Sequence, residues 1–208
     1  MKDLLEFNRK IRSISYLEKV NKINNFTIII NLLVLAYKLV TVIISYEDFL
    51  IPSILYSIFI ILSKLVFFIG YKQNLYLKEE LDYFLIISIY LFLGSLSYFI
   101  YWIFEFILSP ISVSFPLYKF ILYILIYIIE SISSLKGLFI SNKNDDLLLK
   151  GLKFVDLSIA ISSFFMIIMI ILEYLGYVEN KYIINVFGII ISLYMFYKYF
   201  KYKKLLKL

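Results

Sequence analysis

The sequence contains no cysteine and no histidine. Without cysteine there is no disulfide, no thiolate nucleophile and no thiolate metal site, and the redox compartment stays open. Without histidine, the commonest general base and the commonest transition-metal ligand are missing. Proline occurs three times and glycine six times in 208 residues, so helix breakers are scarce. Catalytic signatures are absent too. Nothing matches a phosphate-binding P-loop, a zinc-protease helix or a G-x-S-x-G elbow. Asp145 and Asp146 form a lone pair, too few carboxylates to hold Mg²⁺ against a lipid pyrophosphate. Glu79 and Glu80 lack a basic partner at the spacing an intramembrane protease uses. The expectation is a protein that is not an enzyme and carries no cofactor.

What the sequence has in excess is apolar length. Hydrophobic residues make up 62% of it, and the mean hydropathy is +0.90; a soluble domain is nearer about 45–50% apolar. The surplus predicts an all-α polytopic membrane protein with six spans of about 20–25 residues and no separate soluble domain. The spans fall at 26–46, 49–71, 81–108, 117–140, 154–175 and 181–200. The organisation expected is a cytoplasmic segment at 1–25, a six-helix domain at 26–200 and a basic tail at 201–208. In the first segment Leu4, Phe7, Ile11, Ile14 and Leu17 recur at helical spacing among basic residues, the pattern of an amphipathic helix lying on a membrane surface.

Orientation follows from lysine and arginine. Sixteen of them fall on the side that carries both termini, and only Lys119 and Lys181 on the other. Both ends are therefore expected in the cytoplasm of a multi-pass plasma-membrane protein. The net charge of +6 lies at span ends, which points to anionic lipid head groups and not to nucleic acid. A second copy of the chain or another membrane protein is the further partner this architecture allows.

The informative residues are the polar ones inside the spans. Lys38 sits mid-way along the first span, where hydrocarbon disfavours an ammonium by roughly 2.5–3.5 kcal/mol. Asn31, Lys38, Thr41 and Ser45 fall on one helical stripe, and Tyr123, Tyr127, Glu130 and Ser134 form another on the fourth span. Lys38 and Glu130 lie at matching depth, so a buried Lys38–Glu130 pair is expected. Lys64 and Lys136 are near enough to span ends to snorkel to the surface. Asp156, at the start of the fifth span, reads as a cap or interfacial charge. Glu105, beside Tyr101 and Trp102, reads as part of an interfacial belt. Gly188 with Ser192, and Ser158 with Ser162, have the small-xxx-small spacing of closely packed membrane helices.

The run NLLVLAYKLVTVIIS in the first span, with a very short turn after it, resembles a group of six-span bacterial integral membrane proteins without an established activity. That resemblance implies a fold and no chemistry. The first hairpin is more distantly similar to the transmembrane domain of cation diffusion facilitators, six-span metal/proton exchangers with both ends cytoplasmic. Their metal site takes His or Asp residues four apart on spans 2 and 5. Here the matching positions hold Ser53 and Ser57, and Asp156 with Ala160. No metal site is expected.

Two functions compete. One is a small permease or exchanger with a polar path lined by Asn31, Lys38, Lys64 and Glu130. The other is a non-transporting subunit, assembly factor or regulator whose buried polar groups are structural. A lipid-modifying enzyme ranks behind both, given the missing motifs.

Overall fold

The computed structural model describes residues 2–45, 50–72, 77–108, 116–140, 147–175 and 183–205; side chains at 2–17, 45, 72, 77, 78, 98, 101–108, 140, 169, 173 and 183–187 lie outside that description. The described residues form six α-helices: α1 Lys2–Ser45, α2 Ile51–Lys72, α3 Leu77–Leu108, α4 Leu117–Ile140, α5 Leu147–Tyr174 and α6 Ile183–Leu205. Five of them, α1 to α5, are long and apolar enough to cross a membrane. The amphipathic pattern expected at 1–25 and the belt around Glu105 rest on side chains outside the described set.

Three helices begin earlier than the apolar runs suggest, α3 by four residues, at Leu77. α1 is one helix of 44 residues, about 66 Å at 1.5 Å per residue, against a hydrocarbon core of about 30 Å. Between Lys2 and Ser45 there is neither proline nor glycine to stop it, so the polar first segment continues into the span as the same helix. α5 starts at Leu147 and not at Phe154. Leu147, Leu148 and Leu149, which the polar NKNDD stretch seemed to place in a loop, are buried in the core. This moves Asp156 from the first turn of α5 to its interior, and Lys150 and Lys153 into the helix.

The outside of the bundle is apolar, and its interior mixes an apolar core with buried polar residues. Leu33, Ile43 and Phe139 are largely exposed, while Ser63, Lys64, Ser88, Ser95 and Ser134 are fully buried. That inversion suits a lipid surround, where outer apolar side chains meet acyl tails and small residues let backbones approach. Several buried serines bond to the preceding turn: Ser57 donates to the Ser53 carbonyl at 2.8 Å, Ser88 to Phe84 at 2.7 Å and Ser134 to Glu130 at 2.9 Å.

α1 packs on α2 and α4, α2 on α3 and α5, α3 on α5 and α6, and α5 on α4 and α6. Glycines mark the tight points. A Cβ at Gly94 would come within 2.9 Å of the Phe59 Cβ, and one at Gly188 would meet Ser95. Ser158 and Ser162 of α5 both bond to Tyr56 of α2. The small-residue spacings on α5 and α6 thus coincide with helix contacts.

Candidate functional site

Four helices, α1, α2, α4 and α5, enclose a seam of polar side chains built around two buried ion pairs. Lys38 projects from α1 because its stripe of Asn31, Val34 and Lys38 turns inward, while Leu33, Leu39 and Val40 face out. Its Nζ lies 3.6 Å from Oε2 of Glu130 on α4, with both side chains under a tenth exposed. The same Nζ donates to Ser57 Oγ of α2 at 3.1 Å and sits 5.0 Å from the centre of the Tyr127 ring. Ser163 Oγ of α5 donates to Glu130 Oε2 at 3.2 Å. Tyr127 is held in turn by its hydroxyl contact with Ser53 Oγ at 3.2 Å. One ammonium and one carboxylate therefore gather groups from all four helices.

The second pair was not expected. Lys64 of α2 is fully buried and lies 2.8 Å from Asp156 Oδ1 of α5. It does not snorkel, and Asp156 is not a cap: the early start of α5 carries the carboxylate into the bundle interior, opposite the lysine. Lys64 Nζ also donates to Thr27 Oγ1 of α1 at 2.9 Å. Thr27 Oγ1 donates to the Asn24 carbonyl at 2.8 Å, and Asn24 Nδ2 donates to the Lys64 carbonyl at 3.3 Å. α4 approaches through Gly137, where a Cβ would collide with the Asp156 carboxylate. Glycine there is what lets the acid fit.

Ser57 and Lys64 are seven residues apart on α2, so the two pairs are separated by about 10 Å along the bundle. Asn31 lies between them on α1, at 2% exposure, and among the described residues neither atom of its carboxamide has a hydrogen-bond partner. The Ser133 hydroxyl of α4 is also buried without one among those residues. Lys136, placed near a span end by the sequence, is exposed, with its ammonium 5.9 Å from the Phe26 ring centre.

No protein-family model and no curated protein matches the chain.

Of the four residues chosen from the sequence, Lys38, Lys64 and Glu130 carry the ion pairs, and Asn31 lies buried on the same face of α1. Sequence reasoning missed Asp156, Thr27, Ser57 and Ser163. The signal for Asp156 was the triple leucine before it, which extends the apolar run and deepens the acid. The serines and the threonine gave no signal beyond their occurrence in apolar stretches. Ser53, Ser57 and Asp156, which stand at the metal-site positions of the cation diffusion facilitators, are each tied to a different partner: Tyr127, Lys38 and Lys64.

Proposed function

We propose that the protein is a small permease or exchanger of the plasma membrane, with six spans, both termini in the cytoplasm and a polar path along the α1–α2–α4–α5 seam. The observation that carries this reading is Asn31. An amide buried without partners costs on the order of 1–3 kcal/mol relative to an apolar side chain of similar shape. A purely structural seam has no use for it, whereas a path for a small polar solute needs a group that both donates and accepts. Each lysine already faces a carboxylate, so the seam holds no excess charge to attract an anion. That supports a solute coupled to protons, with Glu130 and Asp156 as the groups that take them up. The basic residues on the cytoplasmic side, such as the exposed Lys203 and Lys204, would rest on anionic head groups.

The competing reading, a subunit or regulator with a structural core, is favoured by one observation: both ion pairs are closed and hydrogen-bonded to neighbours. The absence of cysteine makes the discriminating experiment simple. Asn31→Cys in an otherwise unchanged chain is exposed to a small charged methanethiosulfonate reagent in native membranes. A path predicts slow but complete labelling at this buried position. A thiol that never reacts, while Lys203→Cys reacts fully, would leave the structural reading in place.

A further inference from the structure

Lys64 Nζ meets two side-chain oxygens, Asp156 Oδ1 at 2.8 Å and Thr27 Oγ1 at 2.9 Å. α1 brings more oxygen to the same place. Asn24, Thr27 and Asn31 follow at helical spacing on one face of α1. The Asn24 amide is turned so that Nδ2 donates to the Lys64 carbonyl at 3.3 Å. Its Oδ1 is left buried, with no hydrogen-bond partner among the described residues. The same holds for Oδ1 of Asn31 and for Oδ1 of Asn21. Asn24 and Asn31 are each 2% exposed.

This stretch of α1 therefore offers more acceptors than donors. Among the described residues three of its carboxamide oxygens have no proton to accept, against one amide nitrogen, Nδ2 of Asn31, without an acceptor. Buried acceptors left unpaired are costly, and what satisfies them is positive charge or N–H. The Lys64 ammonium is already a compact monovalent cation seated beside one carboxylate and one hydroxyl. Carboxylate, hydroxyl and carboxamide oxygens are also the hard donors that replace water around a small cation. A single carboxylate balances a single positive charge. The other pair is built differently, with Lys38 bonded to Ser57 and lying over the Tyr127 ring.

We infer that the Lys64–Asp156 cradle is a site for an alkali cation, Na⁺ or K⁺, whose place the Lys64 ammonium takes in the closed arrangement and gives up by losing a proton. As the cation enters, one N–H bond of Lys64 breaks and its electron pair stays on nitrogen as the neutral amine. The proton passes to water at a membrane face. Ammonium with carboxylate becomes cation with carboxylate, so the net charge of the seam is unchanged and no charge is stranded in the membrane interior. The inference rests on the transport reading and names its solute: an alkali cation exchanged for a proton. The proton taken up at Asp156 belongs to the pair and rests on Lys64 when the pair is closed. Other charges on the helices packed against α2 lie elsewhere. On α1, Glu18, Lys19 and Lys22 are exposed and Lys38 has Glu130; α3 carries Glu79, Glu80 and Asp82 near its start, and α5 carries Lys150 and Lys153 near its own.

The test uses the purified full chain, weakly buffered with a pH-indicator dye, in NaCl, KCl or choline chloride at equal ionic strength. NaCl or KCl should release about one proton per chain and choline chloride none, and the apparent affinity should rise about tenfold per pH unit. Lys64→Met should still bind the cation, read as a melting temperature higher than in choline chloride, but release no proton. Asp156→Asn should lose both responses. If either variant fails to fold, proton release by the unmodified chain decides the matter. No release, with equal melting temperatures in NaCl, KCl and choline chloride at every pH, would overturn the site. A melting temperature raised by NH₄Cl alone would also overturn it, by assigning the cradle to an N–H donor. Either result leaves a labelled Asn31→Cys, and with it the polar path, intact for another solute. An unlabelled Asn31→Cys would end the transport reading whatever the ions do.

Discussion

Lys38 and Lys64 do similar work in different settings, and the difference sets what their removal should do. Lys64 is 2.8 Å from Asp156, with side-chain exposures of 0% and 2%; Lys38 is 3.6 Å from Glu130, with 4% and 9%. Removing one partner of a buried pair strands a charge, at about 3–5 kcal/mol in soluble proteins and less where the membrane reference state finds substitutes. Lys64→Met should therefore lower the melting temperature of the purified protein more than Lys38→Met. In each double-mutant cycle, Lys38→Met with Glu130→Gln and Lys64→Met with Asp156→Asn, the double variant should recover part of the loss. Additive losses would show that the partners do not interact. The Lys38–Glu130 pair was legible in the sequence because each charge stands alone in an apolar run on a polar stripe. Lys64–Asp156 was not, because its acid sat next to an apparent helix start, where a carboxylate has an ordinary explanation.

Elements were legible where they are apolar and obscure where they begin. α4 runs over 117–140, the stretch its hydropathy marks out. α1 and α5 extend beyond their apolar runs because nothing in the sequence stops them, and hydropathy records the bilayer, not the helix. Packing between elements was legible only as spacing. The close approach of α4 to α5 depends on Gly137, whose missing Cβ makes room for Asp156. Gly137→Ala gains about 1 kcal/mol of helix propensity but must displace the carboxylate from Lys64, an overpacking cost of about 1–3 kcal/mol plus the weakened pair. It should be destabilising in thermal denaturation. Gly70→Ala meets only the adjustable side chains of Tyr83 and Leu148, at 3.1 and 3.3 Å, and should be nearly neutral. Equal behaviour of the two variants would mean that the α4–α5 seam is looser than described.

For the whole molecule, composition fixed the class: an all-helical bundle with apolar residues outward has no other ready solvent than lipid. What converts this bundle from a scaffold into a path is water in the seam, and the unmodified protein can report it. Hydroxyl radicals generated by a brief X-ray pulse in lipid nanodiscs oxidise side chains that have water beside them. Tyr127 is 2% exposed and packs against Lys38, whereas Tyr197, at 62%, lies on the outer surface of α6. A polar path predicts that Tyr127 is oxidised at a rate well above that of Tyr197. Oxidation confined to residues at the two membrane faces, with Tyr127 untouched, would contradict it.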